Sequence, residues 1–162
     1  MKGLTFNGGY LTTRETEIWN LRKHIPNQSE IGRKLNISRQ AVNLALISIE
    51  DKMERTFNET LHTNNLEPHK MNLVDGVMEA FSPAYQLPVI VSLSNINGLK
   101  VWYLYEGKCS KCNLERSCRK TLLDEAEERE VPLSQDEQRM EPTKLALTVY
   151  SDYLKEEKIL GK

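Results

Sequence analysis

The sequence predicts an α+β protein: three N-terminal helices with a long third one, then a small antiparallel three-stranded sheet, then two C-terminal helices. Three observations predict it. From Met1 to about Asn64, apolar residues recur at spacings of three and four, with Pro26 the one proline. From Lys70 to Tyr105, short runs rich in β-branched and aromatic residues alternate with turn residues. From Glu115 onward helical spacing returns, and Pro142 stands where a first helical turn tolerates a missing N–H. The breaker cluster Asn64-Asn65-Leu66-Glu67-Pro68 separates the first zone from the second, giving candidate domains at 1–66 and 67–162.

Thr12 and Glu15 have the S/T-x-x-E spacing of a capping box, which opens a first helix carrying Ile18, Trp19 and Leu21. Ile25-Pro26 stops it. Asn27 and Glu30 repeat the spacing and open a short second helix that buries Ile31 and Leu35. Asn36 stands where the next tight turn needs a positive φ, which Asn tolerates best after Gly. Ser38 caps a third helix whose stripe is Val42, Leu46, Ile49, Met53, Phe57 and Leu61, about 25 residues in all. That length exceeds what a three-helix core uses. The excess packs on the later zone or pairs two copies, and a homodimer is the expectation.

Three strand runs follow. Met71–Phe81 is bounded by Ser82-Pro83, Val89–Leu93 ends at the loop Asn95-Ile96-Asn97-Gly98, and Leu99–Tyr105 is aromatic and β-branched. The last helices run roughly from Glu115 to Glu130 and from Pro142 to Lys158, with Val131-Pro132-Leu133-Ser134 as a turn between them. The carboxylates from Asp124 to Glu130 read as a solvated helix face. Trp102 and Tyr103 alternate on a strand, one toward the core and one toward its rim.

The short second helix and the third helix, joined at Asn36, make a helix-turn-helix, and the exposed start of the third helix carries Arg39, Gln40 and Asn43. Arg pairs bidentately with guanine edges, and Gln or Asn with adenine, in the major groove. Gln28, Arg33 and Lys34 lie where phosphate contacts would set the register, and Ser38, the cap of the third helix, joins the candidate DNA-binding residues. Leu11-Thr12-x-Arg14-Glu15, Glu30-Ile31-Gly32 and Asn36-Ile37-Ser38-Arg39-x-Ala41-Val42 resemble the LuxR-type and sigma-region-four helix-turn-helix, and are similar to the archaeal Tfx-like regulators. The resemblance covers about a quarter of the chain. It implies a tri-helical module that binds double-stranded DNA; Asn36 stands in place of the more usual turn glycine.

The net charge of -1 gives the whole molecule no basic signature, so positive potential must be local. Arg14, Arg22, Lys23, Arg33, Lys34 and Arg39 all precede the first acidic cluster, Glu50-Asp51. No apolar run approaches the ~18 residues that span a bilayer, and the N-terminus lacks the apolar core of a signal peptide. A cytoplasmic protein with reduced thiols and no membrane partner is expected.

Cys109, Cys112 and Cys118 form a C-x2-C-x5-C window. Two thiols of the first pair suit one metal, and the third comes from the start of the next helix. Lys108, Lys111, Arg116 and Arg119, with the helix N-terminus, would favour thiolate. Three chemistries compete: an iron–sulfur cluster, a structural zinc, and metal-free thiols. The setting K-C-x-x-C-x5-C-R resembles the cysteine triplet of the iron–sulfur-stapled nucleases of the AddB kind, which implies cluster ligation by these three cysteines, a 4Fe-4S cluster being the first expectation. Such a cluster normally takes four cysteines. For a cluster, His69, His62 or an acidic side chain is the candidate fourth ligand, or one iron stays open to a small molecule; a Cys3His zinc site, with His69 the best-placed histidine in the sequence, is the second expectation.

A non-enzymatic, DNA-binding transcription regulator with a redox- or gas-sensing metal centre is the expected function. Two rivals stand beside it: an iron–sulfur redox or electron-transfer protein with an accessory helix-turn-helix, and an adaptor that uses the same fold for protein contacts. No Ser-His-Asp or paired-carboxylate constellation stands out in the sequence.

Overall fold

The computed structural model describes residues 11–105 and 109–154. Its elements are α1 (Thr13–His24), α2 (Gln28–Leu35), α3 (Arg39–Thr63), β1 (Glu67–Asn72), β2 (Val77–Ser82), β3 (Leu87–Ser94), β4 (Gly98–Tyr103), a 3-10 turn at Cys109–Lys111, α4 (Glu115–Glu128), α5 (Gln135–Gln138) and α6 (Pro142–Leu154). Lys108 and the expected extension of the last helix to Lys158 lie outside the described residues.

The three N-terminal helices form as their local signals require. Thr12 accepts from the Glu15 N–H at 3.1 Å and donates its own N–H to the Glu15 carboxylate at 3.0 Å, closing the capping box. The Asn27 side chain takes the N–H groups of Ser29 and Glu30, at 2.9 and 3.2 Å. Asn36 adopts the left-handed conformation, φ 56° and ψ 46°, and Ser38 caps α3 through the Ala41 N–H. With each end satisfied, α3 runs for 25 residues.

The sheet is four-stranded rather than three-stranded, antiparallel, in the order β1-β2-β3-β4. The run expected as one strand, Met71 to Phe81, is broken by a turn. Asn72 Oδ1 accepts the Asp75 N–H at 3.0 Å, Asn72 C=O accepts the Gly76 N–H at 2.9 Å, and Gly76 sits at φ +67°. The apolar residues on both sides of Asp75-Gly76 hid a turn that a D-G pair commonly makes.

Alternation along the strands gives the sheet two covered faces. Met78, Ala80, Val89, Val91 and Leu93 share one apolar cluster with Ile18, Trp19, Met53, Phe57 and Leu61 of α1 and α3. Val77 and Ile90, on the other face, pack with Leu122, Leu145, Val149 and Tyr150 of α4 and α6. The result is three layers, helices on a sheet on helices. The first cluster runs across the 66/67 boundary, so the apolar excess of α3 is spent on the sheet. Trp102 and Tyr103 both find partners, one in each cluster, because neither face is open.

Candidate nucleic-acid interface and cysteine cluster

The start of α3 is held rigidly from behind and open in front. Val42 and Leu46 are buried, whereas Arg39, Gln40 and Asn43 are exposed. Gln28, Arg39, Gln40 and Asn43 border one concavity of about 550 Å³, and Gln28 Nε2 donates to Asn43 Oδ1 at 3.3 Å. Arg33 and Ser38 border the adjoining depression with Arg39, and Lys34 is exposed beside them. All seven sequence-predicted interface residues therefore lie on the α2–α3 turn and its flanks.

Gly32 explains how tightly that turn closes. A Cβ there would stand 2.7 Å from the Ile37 carbonyl oxygen, which is backbone and cannot swing away. Ile37 in turn donates its N–H to the Gly32 carbonyl at 2.9 Å.

Of the cations expected to make the module basic, several are spent internally. Arg14 pairs with Glu17, and Arg22 reaches Glu50 at 2.8 Å. Lys23 lies 3.7 Å over the Trp19 ring, and burial, helped by the charge of Arg129, pulls its ammonium down to about 8. Arg33, Lys34 and Arg39 are exposed and carry no ion pair among the described residues. The free positive charge thus concentrates where the polar face is.

The three cysteines also come together. Cys109, Cys112 and Cys118 line a cavity of about 440 Å³ between β4, the start of α4 and the start of α6. Cys112 donates its N–H to the Cys109 carbonyl at 3.0 Å, and Cys112 Sγ accepts the Leu114 N–H at 3.4 Å. Cys109 Sγ lies 3.5 Å from Thr143 Oγ1, and the Glu141 carboxylate accepts the Cys109 N–H at 2.9 Å. Thr143 and Glu141 were not foreseen, because nothing in the sequence ties the last helix to this loop.

Cys118 departs from the expected thiolate chemistry. Burial pushes its thiol up, Cys112 and Cys109 add to the rise, and only Lys100, from β4, opposes it. Arg119 is engaged elsewhere, by Glu115 at 2.7 Å and the Met140 carbonyl at 3.2 Å. Among the described residues, no group of three or more His, Cys, Asp or Glu side chains is close enough together to hold a metal ion. The three cysteines line one cavity without forming such a group.

His69 does not join them. It is an exposed residue at the irregularity between Pro68 and Lys70 in edge strand β1, while the cavity lies against the opposite edge strand, β4. Three strand spacings separate these edges, about 14 Å. Helix α6 gives the same answer: Thr143 meets Cys109, Leu154 meets Lys70, and the eleven helical steps from one to the other rise about 16 Å. His69 is thus far from the cysteines, and the carboxylate beside Cys109 is that of Glu141, which accepts the Cys109 N–H.

The acidic stretch of α4 is also not wholly solvated. Glu125 is fully buried, accepting from Ser92 Oγ at 3.1 Å and from the Tyr150 hydroxyl, with Arg129 Nε 3.7 Å away. Burial raises its carboxyl above the usual range against the pull of Arg129, Tyr150 and Ser92.

No family model, no curated protein and no solved structure matches the chain. No helix of the described residues is long and apolar enough to cross a membrane.

Proposed function

We propose that this protein is a sequence-specific regulator of transcription that inserts the first turns of α3 into the major groove of double-stranded DNA. One observation carries the reading: Arg39, Gln40 and Asn43 are exposed side by side in front of a buried Val42–Leu46 anchor, flanked by the unpaired Arg33 and Lys34. A protein-contact adaptor has no need of a face that combines guanine- and adenine-pairing side chains with phosphate-binding cations. Two copies on paired half-sites are the proposed arrangement, with an interface elsewhere than the α3 stripe, which the sheet covers.

The cysteine cavity is its proposed sensory centre. Three thiols suit a soft metal. Zinc would need the sulfurs drawn in to about 2.3 Å from one ion, whereas an iron–sulfur cluster spreads its ligands around a larger body, which accords with three cysteines that line one cavity without grouping tightly enough for a single ion. Such a cluster would supply one-electron redox chemistry or an open iron. Cys109, Cys112 and Cys118 would hold it, and the Leu114 N–H bond to Cys112 would tune the sulfur.

The test is selection of duplexes from a random library at low salt, followed by titration across salt. Binding that falls steeply with salt, and loses discrimination at one base pair in Arg39→Ala, is the expected result. Equal affinity for all duplexes, unchanged by Arg39→Ala, overturns the regulator. Metal and acid-labile sulfide measured after oxygen-free purification test the centre, and stoichiometric zinc without sulfide overturns the cluster.

A further inference from the structure

Within the polar face at the start of α3 stands an apolar residue that the fold does not use. Leu44 is 67% exposed and borders the same concavity as Gln28, Arg39, Gln40 and Asn43; Ile47, one turn on, is 58% exposed. A lone exposed leucine is ordinary on a protein surface. This one lies four residues after Gln40, on the same helical flank, inside a face otherwise suited to hydrogen bonding.

Charge decides what can cover it. Arg39 to Ile49 contains no carboxylate, whereas Glu50, Asp51, Glu54 and Glu59 crowd the continuation of the helix. The exposed cations nearby are Arg33, Lys34 and Arg39. A second copy docking by the same face would bring two carboxylate-free, cationic patches together across a two-fold axis, like charge on like. A polyanion complements them, and the acidic second half of the helix then limits how far it enters. In the major groove the apolar feature on the base edges is the C5 methyl group of thymine.

We infer that Leu44 is a specificity-determining residue that packs against a thymine methyl group in the bound duplex, with Ile47 extending the apolar contact. This rests on the proposed function and adds a base identity to it. Leu44 follows Arg39 by five residues, a rise of about 7.5 Å, so the thymine belongs to a different base pair from the one that Arg39 reads.

The experiment takes the duplex selected by the full chain and replaces each thymine in turn by uracil, which removes the methyl and leaves the pairing intact. Wild type is expected to lose about four-fold in affinity at one position, the worth of one buried methyl. Leu44→Ala, which favours the helix and exposes nothing new, is expected to bind thymine and uracil duplexes alike at that position. Uracil tolerated at every position by the wild type, or the same uracil penalty in Leu44→Ala, overturns the inference while leaving the regulator standing. If no duplex is enriched by the wild type, the proposed function falls and the inference with it.

Discussion

Trp19 Nε1 donates a hydrogen bond of 2.9 Å to the Val74 carbonyl, 55 residues along the chain, so one side chain closes the helix-turn-helix core and clamps the β1–β2 turn. Gly76 lies against the same ring: a Cβ there would come within 2.9 Å of the Trp19 indole. Trp19→Phe keeps much of the apolar packing and leaves the Val74 oxygen without this donor. The expected loss is about 1–3 kcal/mol, read as a lower urea midpoint with an unchanged slope. A midpoint equal to wild type would show that the bond contributes nothing.

Gly32→Ala separates turn geometry from helix content. The added Cβ meets the Ile37 carbonyl at 2.7 Å, and the backbone must open to admit it. A cost of about 1–3 kcal/mol is expected, with far-ultraviolet dichroism near wild type and DNA binding reduced well beyond what the unfolded fraction explains. Full binding in a folded Gly32→Ala protein argues against a turn that aims α3.

Glu15 holds α1 to α3 and titrates accordingly. Its carboxylate accepts from Lys52 Nζ at 2.7 Å and Ser48 Oγ at 3.1 Å while completing the α1 cap. Burial alone would raise its carboxyl; the bonds from Lys52, the Thr12 N–H and hydroxyl and Ser48 outweigh it and hold the group below its ordinary 4.5. A carboxyl depressed in the folded state binds fewer protons there than in the unfolded chain. Its stabilisation is complete above 4.5 and disappears as pH falls through the folded value. Glu15→Gln should therefore cost about 2 kcal/mol at pH 7 and much less near pH 3. Denaturation at both pH values measures the gap, and a constant gap would contradict the ion pair.

What could be read from the chain follows the range of the forces. The caps at Thr12, Asn27 and Ser38 and the left-handed Asn36 act over three or four residues, so the helix-turn-helix was legible from its letters. The β1–β2 hairpin was not, because Asp75-Gly76 lay inside a run with apolar residues on both sides. Burial of Glu125 depends on Ser92, Tyr150 and Arg129 arriving from β3, α6 and the next turn of α4, and no local pattern encodes that meeting. The cysteine spacing announced a shared site. It could not say that Thr143 and Glu141 would stand beside Cys109, or that His69 would be carried to the far edge of the sheet.

The buried carboxyl makes the opposite pH prediction to Glu15. Its value is raised, so between that value and the ordinary 4.5 the folded state binds more protons than the unfolded chain. The penalty of burying the ionised group is relieved as pH falls through that window, and no further gain follows below 4.5. Wild type should gain stability relative to Glu125→Gln over this descent, a difference absent above it. Tyr150→Phe removes one donor from the carboxylate and should cost about 1–3 kcal/mol at neutral pH. If the wild-type and Glu125→Gln curves run parallel from pH 7 to pH 4.5, Glu125 is not a buried titrating group.

The end of α4 is linked through the sheet to α1, which gives the proposed centre a mechanical route to the proposed DNA-binding helices. Arg129, just past that end, donates to the Asp75 and Leu93 carbonyls at 2.7 and 2.9 Å, next to the Val74 oxygen that holds Trp19. Glu128 accepts the Asn95 N–H at 2.8 Å, and Asn95 Nδ2 donates to Asn20 of α1 at 2.6 Å. Cys118 lies eleven residues before Arg129, about 16 Å up the helix axis. In the proposed route, occupation of the thiol cavity, by metal or by N-ethylmaleimide on the cysteines, shifts the start of α4 and loads both contacts. A change in DNA affinity of about 5- to 150-fold, the usual range of coupling, is expected in the wild type. Asn95→Ala should bring that ratio toward one while leaving the affinity of the unmodified protein unchanged. Fluorescence anisotropy with and without thiol modification measures both ratios, and an undiminished ratio in Asn95→Ala removes this contact from the route.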